Sequence, residues 1–254
     1  MKQYTSREYY TIGFYGHKEF LEGRTTPRHR KALNLLDPKP GQLILDVGCG
    51  RGEIIRECGM KSQVVGTDFS DASIQFARRH GRPLVRGSST HLPFRREVFD
   101  SVTFLEVMEH LTYQDVEKSF NEIHRILKPG GRVVAQTTTH PLGEFPLDKM
   151  VKAYLRRSRT LGSFYTEWKK PRKVANLARP IFKRLRVEED PGANARTTLK
   201  DMVMRGVIPY RLLWLVGLKE GEVEPIEDIG ARSDTRGRFA SHVYGGQLVE
   251  DPAV

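Results

Sequence analysis

The chain has 254 residues, 38% hydrophobic and 29% charged, which suits one large globular domain with an elaborated lid. No run approaches the roughly 18 uninterrupted apolar residues of a membrane span, and Met1-Lys2-Gln3-Tyr4-Thr5 lacks the apolar core of a secretion signal, so a cytoplasmic protein is expected. The net charge of +11 is concentrated between Val151 and Arg186, where twelve lysines and arginines face the single acid Glu167, leaving the rest of the chain neutral.

In chain order, residues 28–40 read as a helix leading into the turn Pro38-Lys39-Pro40-Gly41, which delivers a first strand at 42–47. A helix over 51–58 precedes a second strand at 63–67. Ser70 is a plausible N-cap for a helix running to about His80. Short strands follow at 83–86 and 99–105. Val116, Phe120, Ile123 and Leu127 recur at three- and four-residue steps, predicting a helix over 113–127 that stops at Lys128-Pro129-Gly130-Gly131. A fifth strand at 132–137 leads to His140. Strands alternating with helices argue for an open parallel sheet with helices on both faces. Beyond it, residues 146–159 carry a basic amphipathic pattern. Val174, Leu177, Ile181 and Leu185 hint at a second such helix, with Pro180 starting or kinking it. Residues 208–216 form an apolar stretch with one charge, and 222–226 and 242–249 read as two final strands.

The most informative stretch is Ile44-Leu45-Asp46-Val47-Gly48-Cys49-Gly50-Arg51-Gly52-Glu53, a short buried strand ending in a glycine turn that opens a helix. Such a turn brings backbone N–H groups and a helix N-terminus close to a polar ligand. Asp68 ends the second apolar run, and a carboxylate there suits a ribose diol. The glycines run G-x-G-x-G, whereas a dinucleotide site wants G-x-G-x-x-G. Cys49 in the turn reads as a small packing residue, and with Cys58 it gives no disulfide framework or zinc spacing.

These motifs, with Gly66-Thr67-Asp68, Leu92-Pro93-Phe94, Glu106-Val107-Met108-Glu109-His110-Leu111 and Leu127-Lys128-Pro129-Gly130-Gly131, resemble the class I methyltransferases that use S-adenosylmethionine (SAM). The likeness covers roughly residues 30–140 and is closest to the small-molecule branch that includes quinone-biosynthesis enzymes. It implies an α/β, doubly wound, seven-stranded and mostly parallel sheet of Rossmann-like type. A basic helical insertion would precede the last two strands. The implied organisation is an N-terminal cap over the cofactor site at 1–40, a SAM-binding core at 41–140, a basic lid at 141–220 and closing strands at 221–254. The resemblance further implies that Asp46 and the backbone of Gly48, Cys49, Gly50 and Gly52 hold the methionine part of SAM. Asp68 would accept from the ribose hydroxyls, Phe69 would lie against adenine, and Ser88, Ser89 and Leu105 would complete the cofactor site. Most relatives carry an acid where Ser88 stands. Tyr15, Arg28 or Arg30 could reach the cofactor carboxylate, or the N-terminal aromatics simply pack the lid onto the sheet.

Methyl transfer from a sulfonium needs an aligned acceptor and, for a hydroxyl or acidic carbon, removal of a proton. Glu106, Glu109 and His110 follow the fourth strand, at the carboxyl end of the sheet where open α/β folds place their sites. His110 is the leading base, His140 a second candidate, and Glu106 a further catalytic candidate. Glu106, Glu109 and His110 also resemble a divalent-metal triad that could hold Mg²⁺ beside an acceptor diol. A purely structural hydrogen-bonding role is the third reading. The sequence lacks the Asn/Asp-Pro-Pro-aromatic motif of exocyclic-amine methyltransferases, with Val107-Met108 in its place, which disfavours amino acceptors.

The basic stretch leaves three partners open: a solvated lid over a small-molecule acceptor, an anionic membrane surface or a lipid-tailed acceptor, and a nucleic-acid backbone. An RNA acceptor is weakened because no His precedes Tyr165-Thr166-Glu167-Trp168, where RNA-methylating relatives have one. The expected function is methyl transfer to a hydroxyl or activated carbon of an amphiphilic or lipid-tailed small molecule. An RNA methyltransferase and a non-catalytic SAM-binding regulator are the alternatives. Nothing in the sequence sets the oligomeric state.

Overall fold

The computed structural model describes residues 25–60, 62–139, 169–191 and 211–221. Helix α1 (Pro27–Leu36) starts at Pro27, a residue whose missing N–H is harmless there, and is capped by Thr26. Strand β1 (Leu43–Val47) leads through the glycine turn to α2 (Glu53–Cys58), then β2 (Gln63–Asp68) and α3 (Asp71–Ala77). Ser70 caps α3, its side chain accepting from the backbone of Ser73 as the sequence predicts. Next come β3 (Leu84–Arg86), β4 (Phe99–Leu105), α4 (Tyr113–Ile126), β5 (Leu127–Thr139), α5 (Pro171–Ala178), β6 (Lys183–Pro191) and β7 (Arg211–Leu218).

The seven strands form one sheet in the order β3-β2-β1-β4-β5-β7-β6. The first five are parallel, and β7 runs antiparallel to both β5 and β6. Successive side chains in a strand point to opposite faces, so each buried strand feeds two cores. Leu45, Val47, Val133, Ala135, Leu213 and Leu215 pack under α4 and α5. Ile44, Val64, Val134, Leu212 and Trp214 pack under α1, α2 and the end of α3. The sheet is therefore doubly wound, as expected.

Two readings need revising. Among the described residues the antiparallel edge of the sheet comes from Lys183–Pro191 and Arg211–Leu218, both within the span read as a basic lid. The segments 222–226 and 242–249, expected to supply it, lie outside the described residues, as do the proposed helix at 146–159 and the N-terminal aromatics before residue 25. The apolar run 212–218 is buried from both sides, and such a run has no period to separate strand from helix. The three- and four-residue spacing of Val174, Leu177, Ile181 and Leu185 also misleads. Helix α5 ends at Ala178, two residues before Pro180, and Leu185 belongs to β6, where charged residues alternate with apolar ones as on a sheet edge. Among the described residues no helix is long and apolar enough to cross a membrane.

Lys219, just after β7, locks the Lys-Pro-Gly-Gly bend of β5. Its amine donates to the Leu127 carbonyl at 2.8 Å and meets Glu97 at 3.0 Å, and its backbone N–H donates to Gly131 at 2.9 Å. The core under α4 is built on Phe120, 1% exposed, whose ring meets Phe104 and Phe182 edge-on at 6.3 and 5.8 Å between centroids. Phe120→Ala should lower the unfolding free energy by about 3–5 kcal/mol, seen as a lower denaturant midpoint with an unchanged slope.

Candidate active site

The sheet order reverses between β1 and β4, and at that switch point the carboxyl ends of the strands leave a crevice. The glycine turn forms one wall. Gly48 and Gly52 hold φ of 73° and 80°, where side chains are strained, and a Cβ on Gly48 would collide with Val107. The N–H groups of Gly48 and Cys49 both donate to the Thr67 carbonyl at the end of β2, at 2.8 and 3.0 Å. The Asp68 carboxylate then spans the crevice floor, accepting from Gly50 N–H at 3.0 Å and Ser70 N–H at 2.9 Å. Burial raises its pKa, and these N–H donors oppose the rise.

Asp46, 4% exposed, accepts from the Thr103 hydroxyl of β4 at 2.7 Å. Burial lifts its pKa to about 7, with the charges of Glu53 and Asp68 adding to the effect. The Cys49 thiol is pushed well up, by burial and by Asp46 and Asp68, and stays protonated as a packing group.

A cavity of about 740 Å³ opens here, a size usual for small-molecule and cofactor sites. It brings together Asp46, Gly48, Cys49, Gly50, Asp68, Phe69, Ser88, Ser89, Leu105, Glu106, Glu109 and His110. Gly52 is not on its lining. It closes the turn instead, donating to the Cys49 carbonyl at 2.8 Å. His140 lies outside the described residues. Phe69, 39% exposed, lines the cavity. The Ser88 hydroxyl sits 2.9 Å from that of Thr90, and Ser89 accepts from Ser119 at 2.9 Å.

Beyond β4 the carboxylates diverge. Glu106 adopts φ of 55°, which turns the chain out of the strand, and pairs with Arg28 from α1. Crowding by protein raises the Glu106 pKa to about 7, with the Glu109 charge adding to the rise and Arg28 and His110 opposing it. Glu109 is buried and accepts from the hydroxyls of Thr137 and Thr138 on β5, at 2.9 and 3.2 Å. Among the described residues no group of three or more His, Cys, Asp or Glu is placed to hold a metal ion. Of the three residues named for a possible Mg²⁺ triad, Glu106 is turned to Arg28 and Glu109 accepts from Thr137 and Thr138.

Several lining residues carried no motif signal. Arg28 was foreseen as a cofactor contact, but His29, Glu53 and Gln136 were not. Glu53 follows the glycine turn in the first turn of α2, where an acid complements the helix dipole, and that placement is the cue that was available. Gln136 is 1% exposed and its amide nitrogen has no hydrogen-bond partner, an orphan donor on the cavity wall.

Residues 45–135 match the family model described as a methyltransferase domain. Over this stretch the chain is similar to that family. Human "Probable tRNA methyltransferase 9B" is 35% identical over 117 residues, 45% of this chain and 25% of that protein. The demethylmenaquinone methyltransferase of Corynebacterium kroppenstedtii is 34% identical over 124 residues, 48% of this chain and 53% of that protein. The chain thus spans between a quarter and about half of these relatives. Among solved structures, phosphoethanolamine N-methyltransferase 2 of Haemonchus contortus in complex with SAM superposes with a TM-score of 0.61 at 19% identity. The match covers 80% of this chain and 56% of that one. At that identity the likeness concerns the fold alone, and it supports the seven-stranded methyltransferase architecture.

The elevated pKa of Glu106 has a stability signature. The folded state binds its proton more tightly than the unfolded chain, so that contribution is complete below pH 4.5 and is lost as pH rises through 7. Glu106→Gln should therefore gain in melting temperature relative to the parent between pH 4.5 and 7, then hold level. A difference independent of pH would remove the assignment.

Proposed function

We propose that the chain is a SAM-dependent methyltransferase acting on a hydroxyl or activated carbon of an amphiphilic, lipid-tailed small molecule. The observation that carries the cofactor part is the meeting of the glycine turn with Asp68 at one end of the cavity that also holds Glu106 and His110. A Cβ-free turn and an orphan amide donor at Gln136 fit a polar nucleoside ligand. In this reading the Cβ-free backbone of the turn and Asp46 border the methionine end, and Arg28 faces its carboxylate. Asp68 accepts from the ribose diol, while Phe69 covers the adenine and Ser88 and Ser89 border it.

When bound, SAM supplies an electrophilic methyl group on a sulfonium. Leu105, Glu106 and Val107 set the wall against which the acceptor atom is aligned. His110 would take the proton of the acceptor hydroxyl as the methyl group passes from sulfur to that oxygen, the carbon–sulfur bond breaking as the carbon–oxygen bond forms, and would then release the proton to solvent. Glu106, with its pKa near 7, holds charge or proton beside it as Arg28 moves toward or away from it. The demethylmenaquinone methyltransferase relatives favour an isoprenoid-tailed ring acceptor. The tRNA methyltransferase match favours RNA as the second reading.

Tritiated SAM offered with fractionated extract separates the readings: label is expected in organic-soluble material. Label confined to RNA would establish the second reading, and no label anywhere would indicate a SAM-binding regulator. Calorimetry checks the pocket itself. Asp68→Asn should weaken SAM by about tenfold or more, since it removes charge-assisted acceptors from the ribose. Retained affinity would dissociate Asp68 from the cofactor. His110→Ala should slow methyl incorporation about 10²–10⁴-fold while leaving SAM affinity unchanged.

A further inference from the structure

Residues 169–173 read Lys-Lys-Pro-Arg-Lys, four cations in five positions. Pro171 is the first residue of α5, and the N-cap is Lys170, whose side chain has no acceptor to offer the free N–H groups of that end. No acid occupies the first turn. The helix N-terminus is therefore positive by dipole and by side chain together.

Tyr113, the first residue of α4, organises these cations. The Lys173 amine lies 3.9 Å from the centre of its ring, the Lys169 amine 4.6 Å, and the Tyr113 hydroxyl accepts from the Lys170 N–H at 2.8 Å. Lys169 is 1% exposed and its amine donates to the Leu111 carbonyl. Leu111 and His110 line the cavity, so the cluster adjoins its acceptor end. Lys170, Arg172 and Lys173 are exposed.

Several cations elsewhere in the fold are compensated. Lys31, Arg51, Arg86, Arg125, Lys128 and Lys219 each meet a carboxylate within 3.0 Å. Among the described residues none of Lys170, Arg172 and Lys173 does. Asp115, one turn along α4, is engaged by Thr112 and Lys118. Like charges gathered without counter-charge repel one another, and a multiply charged anion relieves that repulsion. Lysine point charges, an arginine fork and open helix N–H groups together suit tetrahedral oxygens.

We propose that Lys170, Arg172 and Lys173, the exposed cations at the N-cap and in the first turn of α5, form a subsite for a phosphate-class anionic group of the methyl acceptor. The inference rests on the reading of the chain as a methyltransferase of a small molecule. The anionic group anchors one end of the acceptor outside the cavity while the reacting atom reaches His110 within it.

The test is calorimetric titration of the full chain, saturated with SAM, with inorganic pyrophosphate at low ionic strength. The parent should bind it, and the double variant Lys170→Glu, Lys173→Glu should lose about tenfold or more in affinity. SAM affinity should be equal in both, which certifies the fold of the variant. The neutral pair Lys170→Gln, Lys173→Gln should fall between. Equal pyrophosphate binding in parent and variant, or none in the parent, overturns the proposal. So does capture by phosphatidic-acid vesicles without pyrophosphate binding, which would make the patch a membrane surface. An oligoribonucleotide held far more tightly than pyrophosphate, with a salt slope of several phosphates, overturns it in favour of RNA. If SAM gave no heat while pyrophosphate bound, the anion site would stand and the methyltransferase reading would fall.

Discussion

The left-handed bend at Gly48, Gly50 and Gly52 is the constraint on which the site depends. It lets β1 run directly into α2 without a Cβ between the backbone and the crevice. The bend is not held by its own residues. Thr67 at the end of β2 receives two of its N–H groups, and Asp68 receives a third, so the parallel pairing of β1 with β2 sets the shape of the pocket. The pairing of β1 with β4 on the other side brings Thr103 against Asp46. The cavity is thus a product of sheet register, and each wall is the end of a different strand.

Electrostatically, that cavity is a crowd of acids. Asp46, Glu53, Asp68, Glu106 and Glu109 line it with Arg28 and Arg51. Arg51 lies 2.8 Å from Glu53, and Arg28 is committed to Glu106. Burial then raises the pKa of Asp46 and of Glu106 to about 7. Near neutral pH the site can therefore gain or lose negative charge for a small change in its contents. A ligand carrying a sulfonium and an ammonium is stabilised by such a lining, and loss of the sulfonium charge on turnover weakens that attraction. The basic residues around Tyr113 adjoin this lining where Lys169 meets Leu111.

Much of this was legible in the sequence because it is local. The glycine spacing, the acid ending the second strand, the Ser70 cap and the three-four pattern of α4 are each set by neighbours within a few residues, and all appear where expected. What misled was also local. Leu185 shares spacing with a helix but sits on an edge strand, and the run from Leu212 to Leu218 is apolar on both sides because two cores need it. The letters Glu106, Glu109 and His110 suggested a shared metal, yet Glu106 pairs with Arg28 and Glu109 accepts from the hydroxyls of Thr137 and Thr138.

The sequence by itself determined a parallel α/β core with a nucleoside-type turn, since short-range sterics and hydrophobic period dictate those features. Only the tertiary structure decided which segments complete the sheet, where Arg28 and Gln136 stand, and which acids meet. Those outcomes depend on pairing between residues far apart in the chain, such as Lys31 with Glu188 and Asp190 or Gln136 with Trp214, and no local pattern encodes such partners.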